Sequence, residues 1–308
     1  MLDTLYRRTI LGLAGSPPIE GFLRERGMRL GVGRFVAGEA LEQAIEAAKR
    51  LESSGMLVIL DLLGEFVASA AGTEATTKEI LDGLTGLSAE TESPAMSVKP
   101  TQLGLEIDFE LALDNARRVA QCARAVGAEV CFDMESHAYV DGSLRLYRSL
   151  HDEGYRNLST VLQSYLKRSL DDLDALLRLE PRPTLRIVKG AYREPAELAF
   201  QDKAKVDERF RQMVYTVLEA GGKANIATHD ERILREAAAF LQGSGLGQDR
   251  YEFQLLYGVK PALQRSLREA GHPVRVYVPY GNDWYGYFSR RLAERPANLG
   301  FVVRGLFG

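Results

Sequence analysis

The sequence predicts an α/β protein, a (β/α)8 barrel of the TIM type with accessory N-terminal helices. Three observations predict it. Short, nearly continuous apolar runs recur eight times from Met56 onward, and strands buried on both faces of a parallel sheet read as such runs. Each run leads through a polar or glycine break into a segment of helical periodicity, a unit of about 30 residues that matches a βαβ connection. Polar side chains collect where the runs end, the face on which a barrel of this kind gathers its chemistry. Eight units in about 250 residues is the arithmetic of a closed barrel. A doubly wound open sheet shares the local pattern, because counting strands does not establish closure.

Residues 1–54 read as accessory helices before a barrel over residues 55–308, the whole forming one domain. MLDTLYRRTILGLAG resembles a secretion signal, but its apolar core is too short and Asp3 sits in what should be a basic leader, so an amphipathic first helix is expected. Gly31 and Gly33 form a GxG that no strand precedes and whose spacing departs from GxGxxG, which argues against a dinucleotide fingerprint. Residues 39–53 place Leu41, Ala44, Ile45, Ala48 and Leu51 on one side of a helix. The apolar runs then start at Met56, Ala95, Glu129, Ser159, Leu185, Ala224, Tyr251 and Val274. Helical stretches follow at residues 79–87, 109–126, 142–153, 169–179, 203–220, 231–242 and 259–270, and Gly83 to Pro94 reads as a polar loop.

The last run alternates Val274, Val276 and Val278, breaks at Gly281, and enters a helix that Asn282 or Asp283 can cap. On that helix Tyr287, Arg290, Arg291 and Glu294 share one face, and Trp284, Phe288 and Leu292 form a neighbouring apolar stripe. A double arginine on a helix reads most simply as a solvated face. Here the pair lies beside phenols, and two planar, permanently charged forks suit a small carboxylate.

Composition bounds the function. With 45% hydrophobic and 26% charged residues the chain has the make-up of a globular enzyme. A net charge of -3 argues against nucleic acid as a main partner. Cys122 and Cys131 lack CxxC spacing, and the four histidines show neither HxH nor HExxH, so a reducing, cytoplasmic setting without a metal centre is expected. No apolar run reaches the roughly 20 residues of a membrane span.

Taken strand by strand, the polar residues at the run ends are Asp61 with Glu65 beyond it, Lys99, Asp133 with Glu135, Gln163, Arg186 with Lys189, Thr228 with His229, Gln254, and Tyr277. Such side chains are costly at strand ends unless paired or binding something. Singly, each has a plainer reading: Asp61 and Asp133 can cap loops, Lys99 and Lys189 can pair with them, and His229 can be a lone hydrogen-bonded ring.

LQSYL at residues 162–166, LRIVKGAYREP at 185–195, ATHD at 227–230, FQLLYG at 253–258 and YFSRRLAE at 287–294 resemble the proline dehydrogenase family. The resemblance runs in order from about Arg34 to the last helix. It implies FAD-dependent oxidation of L-proline to Δ1-pyrroline-5-carboxylate by hydride transfer to flavin N5, on a distorted (β/α)8 barrel that needs no GxGxxG. It assigns active-site roles to Asp133 and Arg186, the latter beside N5, where a cation favours developing negative charge. Arg290 and Arg291 would clamp the proline carboxylate with Lys99 nearby, and Tyr277 and Tyr287 would cover the ring. Met134, Gln163, Lys189, Gly190, Ala191, Thr228 and His229 match cofactor-binding positions, and Gln254 at the end of the seventh run joins them. Glu65 is expected to pair with Arg290 as a gate.

The resemblance further implies a monofunctional enzyme that passes its product to a separate pyrroline-5-carboxylate dehydrogenase. Its electrons would go to a membrane quinone, from a position peripheral to the inner face of the membrane. Two rival readings remain for the residues themselves. One is a Schiff-base lyase with Lys99 or Lys189 as nucleophile; the other is a barrel that binds a small molecule without turning it over.

Overall fold

Eight parallel strands close into a barrel in simple sequence order. They are β1 (Leu57–Leu62), β2 (Ala95–Val98), β3 (Glu129–Phe132), β4 (Leu158–Gln163), β5 (Thr184–Val188), β6 (Lys223–Ala227), β7 (Tyr251–Leu256) and β8 (Val274–Tyr280). The computed structural model describes Gly21, Gly27, residues 31–64 and residues 67–294. The expected first helix and Glu65 therefore lie outside the described residues. Closure comes from β1 pairing with β8 along its whole length, from Leu57 opposite Arg275 to Leu62 opposite Tyr280, which removes the open-sheet alternative and leaves no free edge.

Nine helices are described: α1 (Leu41–Glu52), α2 (Ala70–Glu90), α3 (Phe109–Ala125), α4 (Val140–Asp152), α5 (Ser169–Leu176), α6 (Lys203–Glu219), α7 (Glu231–Ser244), α8 (Pro261–Glu269) and α9 (Trp284–Glu294). Carboxylates cap three of them: Asp108 accepts from Leu111 N–H at 2.9 Å, Asp202 from Ala204 N–H at 2.9 Å and Asp230 from Arg232 N–H at 3.2 Å. The polar stretch before Pro94 is helical as far as Glu90, contrary to the loop expected there. The helix is also longer at its start, because Thr73 and Thr77 take the first buried positions of a stripe that Ile80, Leu84 and Leu87 continue. Hydroxyls in those places hide the apolar period.

The strands are less uniformly apolar than the sequence suggests. Leu185 and Ile187 are fully buried on either side of Arg186, and Phe253 and Leu255 flank Gln254 in the same way. The apolar side chains pack outward under the helices and the polar ones point into the barrel. Arg186 on β5 reaches Ser97 on β2, Asp133 just past β3 and Gln254 on β7. Strands so far apart around the ring meet only across its interior.

One helix is out of its usual place. The groove beside β1 and β8 is covered by α1, which precedes the barrel. α9, which follows β8, instead packs Trp284, Phe288 and Leu292 against Val32, Phe35, Val36 and Leu63. Leu63 lies just past the end of β1, so α9 rests on the carboxyl-terminal rim. Hydrogen bonds from Ala37 N–H to Pro279 O and from Gly281 N–H to Gly38 O hold the two segments together, and Trp284 Nε1 donates to Glu39 at 2.8 Å.

Candidate active site

The innermost group is centred on Asp133. Its Oδ1 accepts from Ser97 Oγ at 2.7 Å and from Arg186 Nη1 at 2.6 Å, and its Oδ2 accepts from the Tyr277 hydroxyl at 2.7 Å. Alternation along β2, β5 and β8 aims these side chains inward. Arg186 Nη1 also donates to Ser97 Oγ at 3.1 Å, its Nε donates to Gln254, and its guanidinium carbon lies 5.4 Å from the Tyr277 ring centre. Burial, then the charges of Asp133 and Asp61, push the Tyr277 phenol well above its usual value. It therefore stays protonated as a hydrogen-bond donor to the carboxylate.

Above this group, Lys99 Nζ meets Asp61 Oδ1 at 2.6 Å, both side chains nearly sealed from water. Burial raises the Asp61 carboxyl, with Lys99 pulling it back and the Asp133 charge adding to the rise. The loops carrying these residues are stitched to each other. Lys99 N–H donates to Gln102 Oε1, while Gln102 Nε2 donates to Leu62 O at 2.8 Å and Gly64 O at 2.9 Å. Glu135 accepts from the Thr101 amide at 3.0 Å and the Thr101 hydroxyl at 2.6 Å. Glu135 thus ties the β2 and β3 loops.

A second group lines the rim from β4 to β6. Gln163 Nε2 donates to the carbonyls of Met134 and Glu135 at 3.3 Å, which joins Met134 to β4. Lys189 bridges Asp207 and Asp230. Next to it Gly190 has φ +117, and a Cβ there would strike the Tyr165 ring; only glycine allows that approach. Ala191, one residue on, is exposed. Thr228 Oγ1 accepts from Asp230 N–H at 3.2 Å. His229 Nε2 accepts from Leu256 N–H at 2.9 Å.

The third group is on α9. Tyr287 is buried, Arg290 and Arg291 are half-buried, and the Arg291 guanidinium carbon lies 5.1 Å from the Tyr287 ring centre. At that distance the guanidinium cation is attracted by the ring face.

Of the residues singled out in the sequence, the structure gathers Asp133, Arg186, Gln254 and Tyr277 into one network. It sets Lys99 on Asp61 above them and joins Met134 to Gln163. Lys189, Gly190, Ala191, Thr228 and His229 stand together on the β5 and β6 rim, and Tyr287, Arg290 and Arg291 on α9. Sequence reasoning did not find Ser97, Glu252 or Arg275. Glu252 and Arg275 lie in mid-strand, and a charge that interrupts an otherwise apolar run was the signal available. Each candidate nucleophilic amine is engaged by a carboxylate, at 2.6 Å for Lys99 and 2.9 Å for Lys189 with Asp230, whereas a Schiff-base lysine reacts as a neutral amine. Among the described residues no group of histidine, cysteine and acidic side chains could hold a metal ion.

A model of the family described as proline dehydrogenase matches residues 44–304. The chain belongs to the proline dehydrogenase family. A proline dehydrogenase of Deinococcus radiodurans is 45% identical over 99% of both chains, and proline dehydrogenase 1 of Bacillus subtilis strain 168 is 36% identical over 98% of this chain and 99% of the other. The bifunctional protein PutA of Escherichia coli is 27% identical over 96% of this chain and a quarter of its own length, 25%. In fold, proline utilization A from Bdellovibrio bacteriovorus, in the form inactivated by N-propargylglycine, superposes with a TM-score of 0.80 at 23% identity. That likeness covers 87% of this chain and 33% of that one. The shared family thus extends over the whole described barrel, and the small relatives match end to end.

Proposed function

We propose that this chain oxidises L-proline to Δ1-pyrroline-5-carboxylate with FAD, the first step in degrading proline to glutamate. The observation that carries this is the Asp133–Arg186–Tyr277 network at the mouth of a closed barrel, in a chain that matches proline dehydrogenases along its full length. Oxidation takes a hydride from the ring carbon beside nitrogen and a proton from nitrogen. Bound FAD supplies the hydride acceptor.

The residues present fit that cofactor. Gln163 Oε1 and Arg186 Nη2 are buried without a hydrogen-bond partner in the protein, and the flavin ring system carries both a donor and acceptors along one edge. The backbone at Gly190 leaves room that a side chain would fill. Met134, Gln163, Lys189, Gly190, Ala191, Thr228 and His229 are the residues that would hold FAD, and Gln254 would act on it through Arg186. Arg290 and Arg291 take the proline carboxylate, which fixes the ring carbon that is presented. Tyr277 and Tyr287 offer aromatic surface to the ring, Lys99 adds a cation close by, and Asp133 keeps Arg186 from swinging away.

In this reading electrons leave for a membrane quinone and the product goes to a separate pyrroline-5-carboxylate dehydrogenase. Among the described residues no helix is long and apolar enough to cross a membrane; contact with the inner face would be peripheral, from a cytoplasmic protein. The test is the visible spectrum of the purified protein, before and after L-proline is added without oxygen. A flavin spectrum that bleaches with proline supports the cofactor, the substrate and the direction of hydride flow together. A flavin spectrum indifferent to proline rejects the substrate. A colourless protein that takes up no FAD, and is trapped on substrate by borohydride, rejects the cofactor and restores the lyase.

A further inference from the structure

The network around Arg186 continues toward the amino-terminal end of the barrel. Gln254 Nε2 donates to Oε1 of Glu252. Glu252 is gripped in turn by Arg275, whose Nε lies 2.7 Å from Oε1 and whose Nη2 lies 3.2 Å from Oε2. Arg275 is itself anchored to Val58 O at 2.9 Å and to Glu129 at 3.0 Å. Glu252 is 1% exposed, and Arg186, Gln254 and Arg275 are each 4% exposed. Burial alone would raise the Glu252 carboxyl, but Arg275 beside it, helped by Lys223 at 3.6 Å and by Gln254, outweighs that and brings it down to about 2. It is an anion at any pH the protein meets.

An amide held between a carboxylate and a guanidinium has one satisfied orientation. Its NH2 faces the anion and its oxygen faces the cation. Turned over, it would set N–H against N–H on one side and oxygen against oxygen on the other, in a place no water reaches. We propose that Glu252 is a positioning residue for the reaction: by orienting Gln254 it presents an acceptor to Arg186 Nε and so fixes the plane of the guanidinium. Arg186 is then held at Nε by Gln254 and at Nη1 by Asp133 and Ser97. Its remaining nitrogen, Nη2, is aimed by contacts on the other two. A neutral side chain in place of Glu252 loses that control, because a glutamine there has an amide with two orientations of its own. A buried ion pair of this kind contributes orientation more than stability.

The inference rests on the reading above that Arg186 acts beside a flavin. Glu252→Gln, Gln254→Met and the double variant are purified with FAD alongside the parent protein. The measurements are flavin bound per chain, the flavin midpoint potential, and the rate at which saturating L-proline bleaches the flavin without oxygen. Each single variant should bleach about tenfold more slowly, less than the loss of a preorganised donor itself would cost. Each should have a lower potential, and half-saturation by proline should stay within twofold. The double variant should be no slower than Gln254→Met alone, since Glu252 acts only through that amide. A Gln254→Met protein with the parent's rate and potential overturns the proposal. That variant changes no charge, so it decides the matter even where Glu252→Gln does not fold. Additive slowing in the double variant overturns it as well. A parent protein that does not bleach with proline rejects the flavin and proline reading, and the relay with it.

Discussion

Asp133→Ala tests whether the inner network stabilises the fold as well as the chemistry. The carboxylate accepts from Arg186, Ser97 and Tyr277 at 2.6, 2.7 and 2.7 Å. Removing it strands the Arg186 guanidinium, whose side chain is 5% exposed, beside two hydroxyls that have lost their acceptor. Breaking a buried pair costs about 3–5 kcal/mol. The Asp133 side chain keeps 16% exposure, so water reaches it and about 3 kcal/mol is the appropriate figure. Unfolding entropy of about 2.1 cal/mol/K per residue over 308 residues gives about 0.65 kcal/mol/K, so Tm should fall by about 5 °C. The assay is scanning calorimetry on the flavin-free protein, which keeps cofactor binding out of the comparison. Asp133→Ala combined with Arg186→Met removes both charges and should recover most of the loss, while proline oxidation stays abolished in both. A single variant within about 1 °C of the parent, or a double variant as low as the sum of the two singles, would refute the reasoning.

Other outcomes follow from the same geometry. Arg291→Met should weaken proline binding by about 1.5–3 kcal/mol, the worth of a hydrogen bond to a charged group, while flavin content is unchanged; lost flavin with intact proline kinetics would reassign α9. Gly190→Ala forces a left-handed backbone and a clash with Tyr165, so the folded protein should purify with little flavin, and a fully loaded variant would remove Gly190 from the cofactor site. His272 is buried against Phe253, with Nδ1 3.0 Å from the Tyr251 hydroxyl, and burial lowers its pKa. Its folded value lies below the unfolded one near 6.5, so its stabilisation is complete above that pH and is lost as pH falls through and below it. Tm measured from pH 7.5 to 5 should therefore fall less steeply in His272→Gln; an unchanged slope would show that the ring does not titrate in this window.

How far the sequence disclosed all this depends on which contacts are local. The eight strands were legible because parallel strands with covered outer faces leave dense apolar runs, and the faces of α9 because Trp284, Phe288 and Leu292 repeat at helical spacing. The start of α2 was not, since Thr73 and Thr77 pack where a reader looks for leucine. The strand-end residues could be named one at a time, but not who meets whom. Lys99 finds Asp61 across 38 residues, and Tyr277 finds Asp133 across 144. Those pairings exist only once the barrel has closed. Glu252 and Arg275 were least visible, because a charge in mid-strand looks like a blemish until a polar interior explains it. The displacement of α9 was equally hidden, since no local signal says that α1 already occupies the groove beside β8.

That displacement gives the molecule two cores of unequal size. The large one runs through the barrel wall and its helices, whereas Val32, Phe35, Val36, Leu63, Trp284, Tyr285, Tyr287, Phe288 and Leu292 form a small one of their own. Cooperative units with fewer buried contacts open at lower free energy. Amide exchange in α9 and in residues 32–36 should thus proceed through a shared sub-global opening, at rates set apart from those of the strands. The arginine pair is mounted on the smaller of the two cores, so an opening of α9 is expected to leave the barrel wall intact.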